Sequence, residues 1–189
     1  MRDLDEIRVD IDKIDKELRE LIMKRLECSR EVVESKIENK SFVIYKADRE
    51  EAILDKLGAD VTDEKKPVYL PLVRKMTEMS RMFQYGILFE REPQLFEALV
   101  KDITIPENAS SVTIILERPN IPNAMSSILS MVGDYGFNMD QMNLIQYSKD
   151  NSSVKFELTI LGNMNDINMK KLMLQLSMES TGFKIVDIN

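Results

Sequence analysis

Arg25 stands in an apolar seam. Leu4, Ile7, Ile11, Ile14, Leu18, Leu21, Arg25, Cys28 and Val32 recur at alternating steps of three and four, a heptad pattern with one arginine in it. A buried guanidinium without a counter-charge is costly, so Arg25 needs an anionic partner. Lys36 lies three turns further on and only about 20° around the helix, roughly 16 Å away in rise, so the two cations can flank one cavity. Arg8 falls about 100° away from Arg25 and on a straight helix aims elsewhere, into the cavity of a neighbouring subunit. Ser80 and Gln84 form an i, i+4 pair beside Met76, Met79 and Phe83, and Arg49 and Glu50 open another helical stretch. Cations, an amide and a hydroxyl in this arrangement would grip an anion and donate hydrogen bonds to it. The chain has no histidine and a single cysteine, Cys28, which excludes an internal disulfide, the usual zinc sites and histidine-based triads.

Each of these residues also has a purely structural reading. Arg25 can snorkel or pair with a glutamate of another helix, Arg8 and Lys36 can be solvated helix charges, and Glu50 suits the first turn of a helix dipole. Ser80 and Gln84 can be boundary residues, and the methionines core filler. Periodicity alone therefore supports a helical dimer with a polar cavity and leaves the reaction open.

The elements that must position these residues follow from the pattern. A first helix from Asp3 to about Glu38 would be about 50 Å long, longer than a compact domain of this size is wide, and calls for a partner chain to cover it. Asp48 reads as the N-cap of a second helix, with Glu51 three residues on and Gly58 as its stop. A third runs from Pro67 or Pro71 to Phe89 with Leu72, Val73, Met76, Met79, Phe83 and Ile87 on one face. Residues 1–90 thus read as an all-α three-helix unit of an intertwined dimer, and 91–109, with Pro93 and Pro106 around a short helix, as a connector. Residues 110–189 change texture to short β-rich runs separated by Gly, Asn, Pro and Ser. Their order is strand 112–117, helix 122–135, strand 139–147, strand 154–161, helix 166–178 and strand 183–188. That is an α/β ferredoxin-like βαββαβ domain.

With 189 residues, a net charge of −7 and 31% charged side chains, the chain is ample for two small domains and lacks the basic face of a nucleic-acid or membrane-surface binder. The charged start MRDLDEIRVD and the absence of a long apolar run point to the cytoplasm.

The order Arg8, Ile11, Asp12, Ile14, Asp15, Leu18, Leu21, Arg25, Lys36, then DREE at Asp48 to Glu51, then SRMFQ at Ser80 to Gln84, resembles the all-helical chorismate mutase family over about residues 4–88. The resemblance implies the rearrangement of chorismate to prephenate, on the route to phenylalanine and tyrosine. That one-substrate pericyclic step needs no nucleophile, metal or organic cofactor; it needs a dicarboxylate held in a compact conformer and negative charge stabilised on the breaking ether oxygen. By similarity, Arg25 and the partner's Arg8 would grip the carboxylates with Ser80 assisting. Lys36 and Gln84 would meet the ether oxygen, and Glu50 and the backbone near Arg49 the substrate hydroxyl. Lys46 departs from the family, which usually has an aspartate there to accept from that hydroxyl. An isochorismate-type pyruvate lyase on the same scaffold, and a non-catalytic regulatory or dimerising subunit, are the competing readings.

In the second half, ERPNIPNAMSSILSMVGDYGFNMDQM resembles the ACT family of amino-acid sensors. This implies an aromatic amino-acid effector near Asn120, Asn123, Ala124 and Asn143. Asn120 replaces a common glycine, and Asn143 to Gln146 replace the Glu-Ser-Arg-Pro motif of phenylalanine-sensing members. A purely dimerising role is the alternative.

Overall fold

A computed structural model describes residues 2–189 of the chain. They divide into two compact units, residues 2–88 and residues 89–189.

The first unit is helical. α1 (Leu4–Glu38) begins where the Asp3 carboxylate accepts from the Leu4 amide, carries Asp5 and Glu6 in its first turn and ends with Lys36 in its last, each charge matching the helix dipole. Only Ser29 and Val33 of its 35 residues are buried within the chain. The seam residues Leu4, Ile11, Ile14, Leu18 and Leu21 are 48–60% exposed.

α2 (Ala47–Gly58) starts two residues earlier than its acidic signal suggests. Lys46, with extended backbone and no side-chain cap, is the N-cap, so Asp48 lies inside the first turn, where its charge still favours the helix terminus. Gly58 is not a left-handed stop either, for the following Ala59 is right-handed helical. A Cβ on Gly58 would come within 3.0 Å of the Leu70 side chain, so the glycine serves a close helix approach.

α3 (Lys66–Arg91) takes Pro67 into its first turn and continues through Pro71. Its buried face differs from the apolar stripe. Val73, Thr77, Ser80, Arg81, Gln84 and Leu88 are buried, Leu72 is 66% exposed, and Met76, Met79 and Phe83 are half-buried. The buried face is rotated toward polar residues because it lines a cavity.

In the second unit, α4 (Gln94–Leu99) precedes β1 (Ser111–Pro119), α5 (Ala124–Asp134), β2 (Asn138–Tyr147), β3 (Ser153–Leu161), α6 (Ile167–Glu179) and β4 (Thr181–Ile188). The sheet order is β2-β3-β1-β4 with antiparallel pairing throughout, the ferredoxin-like arrangement. Strict alternation along β1 and β3 buries Val112, Ile114 and Leu116 opposite Ile160, Leu158 and Phe156. Ile128 and Val132 of α5 and Leu172, Met173 and Leu176 of α6 complete this core. Gly136, at φ 90°, ends the α5 segment, and the Phe137 amide returns to the Val132 carbonyl at 3.1 Å. The Asp166 carboxylate caps α6 by accepting from the Asn168 amide at 2.7 Å. A polar chain crosses the core: Tyr135 donates to Gln175 at 2.8 Å and Gln175 donates to Glu179 at 3.0 Å. Burial, then the neighbouring Glu179, pushes the Tyr135 hydroxyl well above its ordinary pKa. Among the described residues, no helix is long and apolar enough to cross a membrane.

Candidate functional site

Three helices of the first unit each turn several successive residues toward one cavity of about 500 Å³, a volume suited to a small molecule. From α1 come Arg25, Cys28, Ser29, Val32 and Lys36, which recur from turn to turn and so share a face. α3 contributes Thr77, Ser80, Arg81 and Gln84 by the same period, and the start of α2 contributes Arg49, Glu50 and Ile53, with Lys46 and Ile44 just before it.

The donors are held by backbone carbonyls and by one another. Arg25 donates to Ser80 Oγ and to the Met76 carbonyl at 3.3 Å, while Ser80 Oγ itself donates to Met76 O at 3.0 Å. One guanidinium nitrogen is thereby fixed and the rest of the fork remains for a ligand. Lys36 Nζ donates to the carbonyls of Val43 at 2.8 Å and Ile44 at 3.4 Å, which leaves one of its three protons to face the cavity. Gln84 Nε2 donates to the Ser80 carbonyl at 3.2 Å. Its Oε1 is buried and finds no partner among the described residues, so the amide offers a second N–H and an acceptor to whatever fills the space.

Burial lowers the pKa of Arg25, an effect opposed by Cys28 and Glu50. Burial also lowers that of Lys36, and the neighbouring cations Lys46 and Arg49 add to it. The Lys36 charge is therefore a cost to the empty folded state. It is present in full below the lowered pKa, is relieved as pH rises through it, and vanishes as a difference above 10.5, where the unfolded lysine is neutral too. If the charged Lys36 donates to substrate, kcat/KM falls on an alkaline limb centred below the ordinary lysine value. Lys36→Arg, whose guanidinium stays charged, removes that limb from the pH–rate profile even where it lowers the rate. An unchanged limb in Lys36→Arg would exclude Lys36 as its source.

Among the residues singled out in the sequence, Arg25, Lys36, Lys46, Arg49, Glu50, Ser80 and Gln84 line the same cavity. Arg8 does not; it is exposed on α1 and donates to Asp5 at 3.1 Å. Glu50 lines the cavity but is engaged by Arg81, which forms an ion pair with it and stacks over the Tyr45 ring at 4.7 Å. Arg81 is only 6% exposed. Sequence reasoning passed over it, although it stands one residue after Ser80 and three before Gln84, on the same face as both. The effector candidates lie in the second unit. Asn120 is tied to the Asn151 and Ser152 carbonyls, Asn123 is left-handed at φ 68° before α5, Ala124 is buried, and Asn143 on β2 donates to Glu157 at 3.4 Å.

No curated protein matches the chain at a significant level. A solved structure described as "GqqA- a novel type of quorum quenching acylases" is 19% identical with a TM-score of 0.42, the likeness covering 46% of this chain and 45% of that one. This chain thus spans under half of that protein. The model of the family described as Chorismate mutase type II matches residues 7–85, the segment that contains all but the first three residues of α1, the whole of α2 and every cavity-lining residue of α3. Over those residues, less than half of its length, the chain is similar to chorismate mutase type II domains.

Proposed function

We propose that the chain rearranges chorismate to prephenate, with residues 1–90 as the catalytic domain and 110–189 as an ACT-like domain joined by the connector 91–109. The observation that carries this reading is the convergence of Arg25, Lys36, Ser80 and Gln84 on one cavity, each with hydrogen-bonding capacity left over. The free part of the Arg25 fork, with Ser80, holds one carboxylate of the substrate. Lys36 and the second Gln84 N–H donate to the ether oxygen, where negative charge grows as the bond breaks, and they are already oriented by backbone carbonyls before the substrate arrives. Such preorganisation lowers the barrier without any proton transfer or covalent intermediate.

The second carboxylate is assigned to the partner's Arg8. Two observations support a pair of chains: the apolar stripe on α1 is uncovered within one chain, and Arg8 lies on the exposed stretch of that helix, outside its own cavity. A second copy laid along α1 would bury the stripe and carry its arginine to the neighbouring cavity.

Purified full-length chain is expected to form prephenate from chorismate well above the uncatalysed rate, and an aromatic amino acid acting through the second unit should change that rate. Chorismate left at its uncatalysed rate would overturn the mutase reading. Indifference to phenylalanine, tyrosine and tryptophan would overturn the regulatory one.

A further inference from the structure

The cavity lining carries five cations, Arg25, Lys36, Lys46, Arg49 and Arg81, against the one carboxylate of Glu50. That carboxylate is not a bare acceptor. A guanidinium buried to within 6% pairs with it from α3 and is itself braced by the Tyr45 ring. With Oε1 held by a guanidinium, the carboxylate is a weaker partner for a ligand hydroxyl, because its charge is already met by a charge-assisted hydrogen bond. The mouth next to it carries Lys46 and Arg49, both exposed and neither with an acidic partner in the cavity lining. A dicarboxylate satisfies two of the four excess charges and leaves two facing the cavity. Burial and, after it, the neighbouring Lys46 and Arg49 disfavour the charged form of Lys36.

We propose that Arg81, by masking Glu50, sets the specificity of this cavity toward dicarboxylates that bear a third anionic or carbonyl oxygen, received at the α2 end by Lys46 and Arg49. The inference rests on the reading of this cavity as the substrate site but does not require turnover. At that end the ligand accepts hydrogen bonds, where an unmasked Glu50 and an acidic residue at position 46 would require it to donate one. In chorismate itself the ring hydroxyl then serves as an acceptor.

Glutarate and tricarballylate share a three-carbon chain and differ by the central carboxylate, so their dissociation constants from the full-length protein, measured by calorimetry at fixed pH and ionic strength, isolate the third anion. Tricarballylate is expected to bind at least about fivefold more tightly. Lys46→Asp, a change at an exposed position that the fold tolerates, should abolish the preference. Arg81→Met uncovers Glu50 and should abolish it too, whereas the double variant Arg81→Met with Glu50→Gln, which leaves no carboxylate exposed, should restore it. If Arg81→Met alone fails to fold, the double variant, which removes both charges of the pair, decides the matter by keeping the preference or losing it. A smaller preference in the unaltered protein, persistence of the preference in Lys46→Asp, or its loss in the double variant overturns the proposal. Binding and turnover fail separately: prephenate formation without the preference sinks this inference alone, and the preference without prephenate formation sinks the mutase reading alone.

Discussion

Replacing Arg25 by alanine is expected to lower kcat/KM for chorismate by about 10²–10³, or about 2.7–4 kcal/mol of transition-state stabilisation, the usual loss for one preorganised donor. The guanidinium lies at the junction of α1 and α3, tied to Ser80 Oγ and the Met76 carbonyl, and removing it takes away both a carboxylate grip and the neighbour that orients Ser80. Secondary structure should survive, because alanine is a better helix former than arginine and the one cavity carboxylate, Glu50, is held by Arg81 instead. Circular dichroism alongside the assay separates lost chemistry from lost fold. A loss under about threefold with intact helices would return Arg25 to the role of a seam residue that merely found a neighbour.

The second large effect concerns stability. Phe156 is completely buried at the centre of the sheet, opposite Leu116 of β1 and Leu144 of β2. Phe156→Ala should cost about 3–5 kcal/mol, the transfer free energy of the ring plus the cavity it leaves. For a unit of this size, that corresponds to a fall in the melting temperature of its transition of at least about 12 °C. The neighbours Ile114, Leu158 and Ile160 are all fully buried and held in strand register, so they have little freedom to collapse into the gap. A cost below about 1.5 kcal/mol in denaturant unfolding would mean that this core is far more plastic than its burial pattern indicates.

The second unit was largely legible in the sequence because its two central strands alternate without a break, and because Gly136 and Asp166 mark helix ends by backbone chemistry that few other residues supply. α1 was legible for a similar reason, with an acidic N-cap and a long heptad. α3 was legible in extent but only partly in its buried face. Of its apolar stripe Val73 and Ile87 are buried, but Leu72 is exposed and Met76, Met79 and Phe83 are half-buried, whereas the helix also buries Thr77, Ser80, Arg81 and Gln84. A polar cavity inverts the usual equation of apolar with inside, and no local pattern announces that inversion. Arg81 escaped notice because an arginine amid helical charges looks solvated, and its partners, Tyr45 and Glu50, are more than thirty residues away along the chain. Asp48 was misread as a cap because an acidic residue suits both the cap and the first turn, and only the backbone angles at Lys46 distinguish them.

The uncovered stripe on α1 links stability to abundance. On the proposed pairing, a 35-residue helix with five of its seam residues about half exposed has little to hold it in the isolated chain, so folding of the first unit and meeting a second copy become one equilibrium. Its melting temperature then belongs to a concentration of chain. A dilute cell extract and a crowded one would hold differently stable proteins of identical sequence, and a newly made chain would remain vulnerable to proteolysis until another had been made nearby.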